Sequence, residues 1–103
     1  MATIDQKKQA HKLLLFLNNE KRRCTYKAFG EVLGIFQRSV STQLLGEQHP
    51  YLSWVVNSKT GKPSNYEPQN LHPDLYTNEH IIRDEQELRA LADHYWREQP
   101  NGL

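Results

Sequence analysis

At 103 residues and 12.1 kDa, with 37% hydrophobic and 24% charged residues, the chain has length for one modest core and reads as a single domain over 1–103. Its longest apolar run, Leu13 to Leu17, is too short to cross a bilayer, and its polar first residues lack the apolar segment of an export signal, so no membrane partner and a cytoplasmic location are expected. The net charge of +1 conceals a division: residues 1–62 hold ten Lys/Arg against four Asp/Glu, whereas residues 63–103 hold three against eight, so the first part suits a polyanion and the second does not.

The first predicted element is a helix starting after Thr3, whose hydroxyl and the Gln6 side chain form a capping-box pair. Ala10, Leu13, Leu14 and Leu17 recur at helical spacing, Leu15 and Phe16 widen the apolar face, and fraying is expected near Asn18 and Asn19. A basic cluster, Lys21 to Arg23, follows. Thr25 caps a second helix that Gly34 ends, and a third is expected over 36–45, stopped by Gly46. These two helices have the spacing of a helix-turn-helix, with Phe29, Gly30, Leu33, Ile35 and Val40 facing inward and Gly30 allowing close approach. Phe36 is expected to pack against the first helix.

Beyond Pro50 the period changes to two. Leu52, Trp54 and Val56 alternate with Ser53, Val55 and Asn57 as in a half-buried strand, and Ser58 to Lys62 forms the tip of a hairpin whose return Pro63 and Pro68 keep short. Residues 63–79 are mostly irregular. Tyr66, Leu71, Leu75 and Tyr76 anchor this stretch over the core, and the functional alternative is a ligand or partner surface from Asn65, Tyr66, His72 and Asp74. His80, Ile81 and Ile82 suggest a brief last strand. Asp84 with Glu87 caps a final helix whose Leu88, Leu91, Ala92 and Tyr95 face the core before Pro100, with Trp96 at the core edge or in a dimer contact. The expected fold class is therefore α+β, a winged helix-turn-helix of three helices, a β-hairpin wing and a C-terminal helix.

The segments TYKAFGEVLGI, RSVSTQLL and SWVVNSKTGKPS, within residues 24–64, resemble the DNA-binding winged-helix half of alkylguanine alkyltransferases and alkyltransferase-like proteins. The resemblance matches Tyr26 to the family's DNA-backbone tyrosine and Arg38 to the arginine that enters the duplex. Where that family carries Pro-Cys-His-Arg, this chain has Leu52-Ser53-Trp54-Val55, without the nucleophile or the histidine. Alkyl transfer is accordingly not expected, and lesion recognition loses the segment on which it depends.

Other catalytic readings find little support. Cys24 has cationic neighbours at a helix start but no base to activate it, so a packed thiol is expected. The five histidines lack paired metal-ligand spacing, and Gly61-Lys62 lacks the frame of a phosphate loop. A non-enzymatic DNA-binding protein, without metal or cofactor, is the expectation: a transcriptional regulator or an accessory to DNA modification or defence. Gln37, Arg38, Ser41 and Thr42 on helix 36–45 would enter the major groove of double-stranded DNA, Arg38 on guanine and Gln37 on adenine. Arg22, Arg23, Tyr26, Lys27, Lys59 and Lys62 would contact phosphates, and a homodimer would supply enough base contacts for specificity. The alternative is a protein-interaction module that uses the acidic C-terminal half.

Overall fold

In the computed structural model, which describes residues 2–46, 48–64 and 66–99, helix α1 runs Ile4–Glu20 behind the expected cap. Gln6 N donates to Thr3 Oγ1 at 3.0 Å and Thr3 N to Gln6 Oε1 at 2.8 Å. The Gln6 amide also donates to Leu33 O, which ties the start of α1 to the end of the second helix. Asn18 and Asn19 do not fray. Asn18 accepts a hydrogen bond from the Trp54 indole and Asn19 donates to the Tyr95 hydroxyl, so the last turn is held by tertiary contacts, and Lys21 closes it in the left-handed region at φ 54°.

The basic cluster leads into a strand that no apolar period announces. Strand β1, Arg23–Thr25, is buried throughout and lies between β2, Val55–Val56, and β3, Ile81–Ile82, in a parallel sheet of order β2-β1-β3. Cys24 pairs with Val55 and Ile82, and Thr25 with Val56. A half-buried hairpin strand was expected here, but Ser53, Trp54, Val55 and Val56 are all fully buried, as befits a strand covered on both faces. Ser53 is accommodated by donating to Pro50 O and accepting from His72 N. The loop after β2 closes on itself, Asn57 N to Lys62 O at 2.8 Å and Gly61 N to Asn57 O at 2.9 Å. Among the described residues no returning strand pairs with β2. Pro63 cannot donate to a ladder, and the Gly61 carbonyl is taken by Arg23.

Thr25 accepts from Ala28 N and starts helix α2, Tyr26–Leu33, which Gly34 ends at φ 74°. The third helix expected over 36–45 is present but irregular: a 3-10 helix, Gln37–Ser39, runs through Val40, itself in the right-handed helical region, into a π-helix, Ser41–Leu45. Ser39, Val40, Ser41 and Thr42 are poor helix formers, Phe36 supplies no side-chain cap, and the Thr42 hydroxyl bonds Ser39 O instead of leaving the backbone to its own ladder. Val40 and Leu45 still reach the core, but Phe36 is 82% exposed and does not pack on α1.

Helix α3, Glu85–Arg97, is capped by Asp84, which accepts from Glu87 N at 2.8 Å. The reciprocal half of that capping box is absent because the Glu87 carboxylate pairs with His80 Nε2 at 2.6 Å. One hydrophobic cluster joins Leu13 and Leu17 of α1, Phe29 of α2, Trp54 and Val55 beside β1, and Leu88 of α3. Trp96 sits at its edge, against Tyr95 and under the Lys12 ammonium. Among the described residues no helix is long and apolar enough to cross a membrane.

Candidate nucleic-acid interface

Because the three strands run parallel, the residues that follow them emerge along one edge of the sheet: Tyr26 and Lys27 after β1, Asn57 to Lys59 after β2, and Arg83 after β3. The carboxyl edge of a parallel sheet is a common place for a ligand crevice. Here it lines a groove of about 610 Å³ together with Gln37, Arg38 and Ser41 of the following helical segment.

The groove is positive. Lys27, Arg38, Lys59 and Arg83 line it and, among the described residues, no carboxylate does, so the cations reinforce one another's field over a concave surface where screening by solvent is reduced. Its polar lining is held in place by internal bonds. The Tyr26 hydroxyl accepts from Ser64 N at 2.9 Å, Arg83 Nη1 donates to Ser58 O at 2.9 Å, and the Asn57 side chain accepts from Lys59 N at 2.8 Å. The Lys59 loop is thus fastened both to α2 and to the end of β3.

The chain matches no family model, no curated protein and no solved structure.

Of the residues expected to contact DNA, Tyr26, Lys27, Gln37, Arg38, Ser41 and Lys59 are brought together in this groove. Thr42 and Lys62 are exposed but do not line it, and Arg22 is half-buried at the turn after α1, with its backbone N–H on Leu17 O. Arg23 needs correction. It is 7% exposed, with Nη1 on Gly61 O at 2.9 Å, Nη2 on Asn78 O at 3.1 Å and its guanidinium 5.2 Å from the Tyr76 ring centroid. A guanidinium so engaged holds the loops after β2 and before β3 together and does not meet phosphate.

Arg83 was missed. It belongs to the acidic half of the sequence, and only the parallel pairing of β3 with β1 carries it to the groove. An alternating-strand reading offered no signal for that pairing.

The other candidate centres resolve as packing. Cys24 is fully buried in β1, where desolvation pushes its thiol well above the ordinary range, so a thiolate is disfavoured and the packed reading holds. In the irregular stretch, Leu75 is fully buried, His72 lies against Trp54 with ring centroids 4.7 Å apart, and Asp74 pairs with Lys21 at 3.2 Å. The Tyr66 hydroxyl accepts from His49 N, and burial, with Tyr26 adding to it, pushes that phenol above its usual value. Leu71 and Leu75 cover the core as expected, whereas Tyr76 is 49% exposed over the Arg23 guanidinium and Tyr66 is tied to His49; Asn65 and Pro100 lie outside the described residues. Among the described residues, no group of three or more His, Cys, Asp and Glu side chains is placed to hold a metal ion.

Proposed function

We propose that the chain is a small, non-enzymatic protein that binds double-stranded DNA through the groove at the carboxyl edge of its sheet. The observation that carries this reading is the lining itself: Lys27, Arg38, Lys59 and Arg83 converge on one concave surface with no carboxylate among the described residues that line it. Lys27, Lys59 and Arg83 neutralise backbone phosphates, and the Tyr26 hydroxyl adds a polar contact beside them. Gln37, Arg38 and Ser41 reach base edges from the irregular third helix, Arg38 being able to donate twice to guanine.

On this reading α2 and the irregular 37–45 helix act as the two members of a helix-turn-helix, and the Ser58–Lys62 loop does the work of a wing, in line with the resemblance of residues 24–64 to the alkyltransferase DNA-binding half. A short, irregular helix offers fewer base contacts than a full recognition helix. A homodimer on adjoining half-sites would restore specificity, as expected of a transcriptional regulator or of an accessory to DNA modification or defence. The acidic C-terminal half makes a weaker docking site, since Glu85 is engaged by Arg89 and Glu87 by His80.

Arg38→Ala should weaken duplex binding about tenfold, the scale of one lost arginine–guanine contact, and Glu87→Ala should leave it unchanged. Fluorescence anisotropy with a labelled duplex reads both. Equal affinities of wild type and Arg38→Ala would remove the third helix from the mechanism.

A further inference from the structure

Phe36 is the side chain that the fold explains least. Of the three large exposed hydrophobic residues among those described, Tyr76 lies over the Arg23 guanidinium and Ile4 sits in the first turn of α1, whereas Phe36 is 82% exposed on a residue at φ −58° and ψ 139°, directly before the Gln37–Ser39 helix. Beside it lies a shallow surface formed with Gly30, Ile35, Lys27, Gln37 and Glu31. Lys27 and Gln37 line this surface and the basic groove alike, so the two are continuous. Their chemistry differs. The groove is cationic, with no carboxylate among the described residues that line it, whereas the second surface is largely apolar and carries Glu31, which repels phosphate but not the face of a base.

We propose that Phe36 is a wedge that enters a base step of duplex DNA while the adjoining groove holds the backbone, which names the binding mode of that groove and rests on reading it as a DNA site. A duplex offers the required surfaces in one molecule: phosphates for Lys27, Lys59 and Arg83, base edges for Arg38, and apolar base faces for the Phe36 ring. Aromatic and aliphatic side chains inserted between base pairs unstack them and kink the duplex, and an exposed ring mounted at the edge of a positive groove is placed for that role. A protein partner covering Phe36 would also have to bring anionic groups into the neighbouring groove.

The test uses mixed-sequence duplexes carrying 2-aminopurine at successive positions, titrated with wild type, Phe36→Leu and Phe36→Ala. The exposed position leaves the core intact in both variants. Wild-type binding should raise 2-aminopurine emission at a step near the bound site, Phe36→Leu should keep the rise, and Phe36→Ala should lose it together with about tenfold in affinity while retaining salt dependence. Salt-sensitive binding without any rise in wild type, or a rise that persists in Phe36→Ala, overturns the wedge and leaves the groove's DNA role standing. Absence of wild-type binding to any of the duplexes overturns both.

Discussion

Gly30→Ala is expected to destabilise the protein by about 3 kcal/mol, although alanine is the better helix former by about 1 kcal/mol. A Cβ at position 30 would lie 2.3 Å from Ile35 O and 3.2 Å from Val40 Cγ2. The Ile35 carbonyl is backbone and cannot swing aside like a side chain, and Ile35 N is itself bonded to Gly30 O at 2.9 Å. Relief therefore requires the whole Ile35–Val40 segment to move off α2. That segment carries Gln37 and Arg38, so the variant should also bind duplex less tightly per folded molecule. Urea denaturation gives the first quantity and anisotropy under folding conditions the second. A denaturation midpoint equal to or above that of wild type would mean that helix propensity outweighs the contact and that α2 and the Ile35–Val40 segment are not closely packed.

Arg23→Ala should cost a similar amount, about 3 kcal/mol, from two charge-assisted hydrogen bonds worth about 1.5 kcal/mol each. The loss arises in the fold and not at the DNA: Gly61 O and Asn78 O lose their donor, and the loops after β2 and before β3 lose the group that joins them. Arg23→Lys should recover only part of the stability, because an ammonium cannot reach two separated carbonyls with a planar fork. The salt dependence of duplex binding should be the same in Arg23→Ala as in wild type at temperatures where both are folded. Unchanged stability with a shallower salt dependence would instead return Arg23 to the set of phosphate contacts.

What the sequence disclosed and what it concealed follow from the range of the forces involved. Local rules place α1, α2 and α3, because Thr3, Thr25 and Asp84 cap them through atoms within a few residues, and Gly34 ends α2 through its own backbone freedom. The close approach at Gly30 was legible for the same reason, as a missing side chain within a short helix-turn segment. The sheet was not. A three-residue strand made of Arg23, Cys24 and Thr25 has no period to detect, and its pairing with Val55–Val56 and Ile81–Ile82 is decided by contacts far apart in the chain. With the parallel sheet hidden, Val55–Val56 read as one arm of a hairpin, Arg23 as a surface cation and Arg83 as part of the acidic half. The third helix was legible from its apolar spacing, but its irregular 3-10 and π turns were not, since its Ser/Thr-rich composition competes with a regular α-helical ladder. Six of the expected contact residues nevertheless meet in one groove: Tyr26 and Lys27 begin a helix that local signals located, and long-range packing brings Gln37, Arg38, Ser41 and Lys59 to it.

The groove's role is tested most directly by the affinity of the wild-type protein for a duplex between about 50 and 200 mM salt. With Lys27, Lys59 and Arg83 each neutralising one phosphate, log K should fall against log salt with a slope of about −2.7. No binding at the low-salt end, or a slope near zero, would contradict a DNA-binding groove.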